Sequence, residues 1–180
     1  MEADWEFEVG GDAPVIEAYW AGFVNLRNEP WRVGEIAETH MLPGLAEALL
    51  RLNVAGSPVW TCKTDVLAPE QVDPDELGAS SEEANFAIAC YIDILMRSDQ
   101  IWNLPGKAEQ RCRELCARIK QIPLRCCRVD MVIRRARIAD ADSFGATVYF
   151  TACGRTSSEA RERLGECLAA VAQSIVAGER

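Results

Sequence analysis

A single histidine, His40, stands among 180 residues, and that scarcity leaves Ser-His-Asp or Cys-His catalysis only one candidate base. Nothing beside it marks a nucleophile. Positive charge is also in the minority, with 19 Lys and Arg against 28 Asp and Glu and a net charge of −9. A protein that binds nucleic acid by neutralising phosphates should be basic, so that class is not expected. No apolar run approaches the ~18–20 residues that span a bilayer. The opening Met-Glu-Ala-Asp-Trp-Glu has neither a basic n-region nor an apolar h-region, so no secretory signal is expected. These absences together give the expectation of a soluble cytoplasmic protein with no membrane contact. Walker-type and dinucleotide-binding fingerprints are missing as well.

What is present is ordinary globular material. Hydrophobic residues make up 49% and charged residues 26% of the chain, enough to bury a core in one domain spanning residues 1–180. Eight cysteines (Cys62, Cys90, Cys112, Cys116, Cys126, Cys127, Cys153 and Cys167) are an even number. They fall inside apolar periodic segments rather than in loops, which suits reduced thiols acting as small hydrophobes. Zinc needs four soft ligands that converge. Cys112-x-x-x-Cys116 followed by Cys126-Cys127 fits no usual zinc spacing, and adjacent strand residues point to opposite faces. No metal and no cofactor are expected.

From Pro58 onward the pattern alternates between period-2 and period-3.6 segments. Residues 58–67 and 85–97 read as strands, with an acidic, proline-containing loop at 69–84 between them. Asn103-Leu-Pro-Gly breaks the chain. Residues 106–122 carry Cys112, Leu115, Cys116, Ile119 and Ile122 at helical spacing, stopped by Pro123. Residues 125–138 and 144–153 read as strands. Residues 157–177 form a helix with Leu164, Cys167, Leu168, Val171 and Ile175 on one stripe, and Thr156-x-x-Glu159 makes a capping box at its start. Before Pro58 the pattern is weaker. Residues 1–56 hold Trp5, Phe7, Tyr19, Trp20, Phe23 and Trp31, an edge strand at Glu6-Phe-Glu-Val and a helix near 42–53. So many aromatics are expected to pack on the sheet.

The order strand, strand, helix occurs twice, over 57–122 and 123–178. Cys62-Lys-Thr-Asp65 in the first copy corresponds to Cys127-Arg-Val-Asp130 in the second. Two such units build an α+β two-layer sandwich, a four-or-more-stranded antiparallel sheet with its helices on one face. The arrangement is similar to a ferredoxin-like fold in which the last strand has moved to the front.

Strict alternation assigns the faces. Under the helices should lie Trp60, Cys62, Val66, Ile88, Cys90, Ile92, Ile94, Cys127, Val129, Met131, Ile133, Val148 and Phe150. The opposite face is polar, with Lys63, Asp65, Tyr91, Asp93, Arg97, Cys126, Arg128, Asp130, Arg134, Thr147, Tyr149, Thr151 and Cys153. Of these, Asp65, Tyr91, Asp93, Arg128, Asp130 and Tyr149 are the candidate ligand-binding residues. The bland alternative is a solvated face with cross-strand Asp–Arg pairs. The leading expectation is a non-catalytic domain that binds a partner protein, a second copy of itself or a small ligand through this face. The rival is a small enzyme whose pocket lies between the N-terminal aromatics and Asp93, Arg128, Asp130 and Tyr149, with Asp or Tyr as acid or base and Arg as an anion clamp. Charge is also unevenly spread: residues 1–85 carry 4 basic and 17 acidic residues, and residues 97–137 carry 11 basic and 4 acidic. The two regions are expected to dock on one another, or else the basic segment receives an acidic protein or an anionic ligand.

Overall fold

The computed structural model describes residues 1–69, 71–97, 105–139 and 141–177. Six strands form one mixed sheet: β1 (Glu2–Glu8), β2 (Ile16–Glu17), β3 (Val59–Leu67), β4 (Phe86–Met96), β5 (Cys127–Ile138) and β6 (Ala141–Gly154). Among the described residues four α-helices accompany them: α1 (Glu38–Met41), α2 (Leu45–Asn53), α3 (Pro105–Ile119) and α4 (Ser157–Ala177). The protein is therefore of the α+β class. The strands lie in the order β1-β5-β6-β4-β3, with β2 also on β5. The β5–β6, β6–β4 and β4–β3 pairs are antiparallel, as expected for residues 58–153. The sheet as a whole is not antiparallel, because β1 and β2 add to β5 in parallel. Alternation explains β1: Ala3, Trp5 and Phe7 turn to the helix side, and Glu2, Asp4, Glu6 and Glu8 turn away.

Elements follow their sequence patterns with shifted ends. Helix α3 stops at Ile119, short of Pro123, and β6 begins at Ala141 rather than 144. Helix α2 begins at Leu45, after Gly44 rather than at Leu42. The break at Asn103-Leu104 and the end of the second unit at residue 178 lie outside the described residues. At the start of α4, Thr156 Oγ1 accepts the Glu159 amide, and the Glu159 carboxylate accepts the Arg155 amide. The first bond is the one the Thr-x-x-Glu spacing implied; in the second the carboxylate reaches one residue past the N-cap amide that a full capping box would use.

One hydrophobic cluster joins the stripes of α2 (Leu45, Ala48, Leu49, Leu52), α3 (Cys112, Leu115, Cys116, Ile119) and α4 (Leu164, Cys167, Leu168, Val171, Ile175) to one side of the sheet. Ile88, Cys90, Ile92 and Ile94 of β4, Cys127, Val129, Met131 and Ile133 of β5, and Val148 and Phe150 of β6 supply that side. All eight cysteines are buried and free.

Trp60 and Cys62 depart from the expected assignment and lie on the opposite face. The reason is a β-bulge. Thr61 pairs with Ile94 and Thr64 with Ile92, so three steps along β3 match two along β4. The extra residue inverts the parity of Trp60 and Cys62 relative to Val66, which keeps its helix-side place. Cys62 and Cys127, equivalent in sequence, thus end on opposite faces.

Candidate functional site

The face away from the helices is polar only in its middle. At one end Ile16, Ala18, Trp60, Cys62, Leu95 and Ala136 form an apolar cluster; at the other, Leu77 packs on Cys126 and Cys153. The second cluster removes Cys126 and Cys153 from the polar part of that face, because the 72–87 segment covers both. Burial pushes the Cys126 thiol up and raises Cys153 to about 12, which disfavours a nucleophilic thiolate at either.

The first cluster is made by the N-terminal segment, which crosses the end of the sheet as a strap. Ile16 is seated over Gly145, where a Cβ would fall 2.7 Å from Leu95 Cδ2 and 3.0 Å from Ile16 Cδ1, so only glycine admits the crossing. Farther along, Trp20 Nε1 donates to the Cys62 carbonyl at 3.2 Å, at the bulge of the edge strand. Gly22, with φ of +104°, lies so close to the Trp20 ring that a Cβ would meet Cζ3 at 2.9 Å. The strap then rounds the edge of β3 to the helix side, where Leu26 and Leu42 join the main core. Asn53 Oδ1 accepts the Thr61 amide, so both the amide and the carbonyl offered by this stretch of edge strand are taken.

Between the two apolar ends lies the polar strip, and it opens into two adjoining depressions. The first holds about 410 Å³, walled by Pro14 to Glu17 and Trp20 of the strap, with Lys63, Tyr91, Asp93, Arg134, Thr147 and Tyr149 from the sheet. At its floor Asp93 is only 9% exposed, and Thr147 Oγ1 donates to its Oδ1 at 2.6 Å. Burial raises the Asp93 pKa, against the opposing influence of Thr147, Arg134 and Lys63. Arg134 Nε and Nη2 bind Glu8 Oε2 across the parallel β1–β5 pair, and its guanidinium carbon lies 5.9 Å from the centre of the Tyr149 ring. The rings of Tyr91 and Tyr149 stand 5.9 Å apart. The neighbouring Tyr91 favours the charged form of Lys63, while burial raises the Tyr91 phenol.

The second depression, more open and of about 610 Å³, is lined by Asp4, Leu67, Arg128, Asp130, Arg134, Tyr149 and Thr151 among others. Here Arg128 Nε donates to both Asp130 oxygens at 2.9 and 2.8 Å, and Arg128 also faces Glu76 at 3.9 Å. The six sequence candidates therefore divide. Tyr91, Asp93 and Tyr149 meet in the first depression, while Arg128 and Asp130 pair in the second, which also reaches Tyr149. Asp65 joins neither, because its Oδ1 accepts the Val66 amide on the exposed edge strand.

Arg134, Thr147 and Lys63 belong to the site, although charge and alternation alone did not separate them from other polar positions on that face. Trp20 was out of reach, since its place depends on the path of the strap. Arg97 does something else: its guanidinium binds the carbonyls of Val59, Asn53 and Val54, holding the C-terminus of α2. His40 is exposed, its Nε2 2.8 Å from the Gly34 carbonyl. The acidic and basic regions meet in ion pairs, Glu8–Arg134, Glu76–Arg128 and Glu83–Arg125.

Among the described residues no three His, Cys, Asp or Glu side chains come together to hold a metal ion, and no helix is long and apolar enough to cross a membrane. No protein-family model matches the chain, no curated protein matches it in sequence and no solved structure matches it in fold.

Proposed function

We propose that this protein is a non-catalytic small-ligand-binding protein of the cytoplasm, with its site in the strap-covered depression. One observation carries the reading: a carboxylate that is nine-tenths buried sits at the floor of a 410 Å³ depression rather than in a packed core. Ligand sites are concave, of ~300–1,000 Å³, and place a few polar groups among apolar or aromatic walls. Tyr91, Tyr149 and Trp20 are the walls here, and Lys63, Asp93, Arg134 and Thr147 the polar groups. A solvated face with surface ion pairs describes the Arg128–Asp130 region better than this one.

The architecture fits a single domain built on a permuted ferredoxin-like two-layer core, duplicated from a strand-strand-helix unit. The strand order β5-β6-β4-β3 supports it, as does the common outward position of Asp65 and Asp130.

The test is a thermal-shift screen of polar metabolites against the native protein, Tyr149→Ala and Trp20→Ala. Stabilising compounds should lose their effect in both variants. Shifts that persist in both variants, or a screen in which no compound shifts the native protein, would overturn the assignment.

A further inference from the structure

We infer that the guest of the strap-covered depression carries an ammonium or amidinium group that ion-pairs with Asp93. The inference rests on the ligand-site reading above and adds the chemistry of the guest.

Its basis is an imbalance among the charged groups of the depression. Arg134 already has a carboxylate, donating from Nε and Nη2 to Glu8, with Nη1 3.4 Å from Thr147 Oγ1. Lys63 has Tyr91. Asp93 is the one buried carboxylate of the depression, it has no ion-pair partner within 4 Å among the described residues, and only its Oδ1 is hydrogen-bonded. Arg134 and Lys63 act on it only from beyond contact, and a buried carboxylate with no cation in contact is costly to hold, so it normally pairs or takes up a proton. A cationic guest supplies the missing partner at Oδ2. An anionic guest would instead face Asp93 at the floor and Glu17 on the wall, and would have to displace Glu8 from Arg134.

The walls favour the same charge. Tyr91, Tyr149 and Trp20 border the depression, and aromatic faces attract cations through the ring quadrupole, more strongly where water is excluded. The fitting guest is thus a small primary amine or amidine on a flat or apolar body.

Three probes of one shape separate the possibilities: benzylamine, benzoate and benzyl alcohol, each titrated at millimolar concentration into the ¹⁵N-labelled full chain and followed by amide and indole chemical shifts. Benzylamine should move the Trp20 indole and the amides of Asp93 and Thr147, with benzoate and benzyl alcohol leaving them in place. In Asp93→Asn, which keeps an oxygen to accept the Thr147 hydroxyl, benzylamine affinity should fall at least about tenfold. The comparison among probes requires no variant, so it stands even where the substitution perturbs folding. If benzoate or benzyl alcohol binds as well as benzylamine and Trp20→Ala abolishes that binding, the cationic guest is wrong and the ligand site survives. If none of the three moves these signals, both readings fall.

Discussion

The two faces of the sheet are built on different terms. Beneath the helices every strand except β2 contributes aliphatic, sulfur or aromatic side chains to one continuous cluster, and burial accounts for each of them. On the other face apolar packing is confined to the ends, under the strap and under the 72–87 segment. The strip between them keeps Asp93, Arg134, Lys63 and two tyrosines where side chains of similar size but no charge would hold the fold at least as well. Stability explains the first face. The second shows polar groups retained in a recess, and that pattern points to use.

Substitutions on the two faces should separate these roles. The largest effect belongs to the helix-covered face: Phe150→Ala, fully buried, should cost about 3–5 kcal/mol in urea unfolding. Gly145→Val comes next, because its side chain would collide with Leu95 Cδ2 and the Ile94 carbonyl beneath the strap. A loss of about 1–3 kcal/mol is expected. Trp20 fluorescence should shift to the red in that variant as the strap lifts.

Asp93→Asn should change stability at neutral pH by less than about 1 kcal/mol, or raise it, since a charge is removed and the Thr147 bond is kept. Its clearer signature is pH dependence. The raised pKa means that the native state holds the Asp93 proton where the unfolded chain has released it. The contribution of this group is therefore most favourable below the ordinary carboxylate value and declines as pH rises through the folded one. The native protein should show that decline in urea midpoints, superimposed on the rest of its titration, and the Asn variant should lack it. Smallest of all, Arg128→Ala should cost no more than about 1 kcal/mol, because its pairs with Asp130 and Glu76 are partly solvated. A larger loss there would erase the contrast drawn between the two depressions.

Much of this contrast could be read from residue order, and the failures have identifiable causes. Strands β3 to β6 and helices α3 and α4 were legible because each follows its own period, with Pro or Gly near its limits. The polar character of one face was legible too. Face assignment failed at Trp60 and Cys62, where a bulge inserts one residue and no local feature of Trp-Thr-Cys-Lys announces it. The parallel addition of β1 and β2 and the path of the strap rest on contacts across more than 100 residues, such as Glu8 with Arg134. Local pattern does not encode these. Within the site, Asp93 was found by alternation and Trp20 was not, because one lies on a regular strand and the other on an irregular segment fixed by Gly22 and the Cys62 carbonyl.

The central claim is that Asp93 is held in a recess that disfavours its charge, facing Thr147 of β6, Arg134 of β5, Lys63 and Cys62 of β3 and Tyr91 of its own strand, with Glu17 of the strap on the same wall. Carbon-detected NMR titration of the Asp93 carboxyl measures this directly. The expected midpoint lies above that of the exposed aspartates in the same spectra. A midpoint at or below theirs would contradict the account.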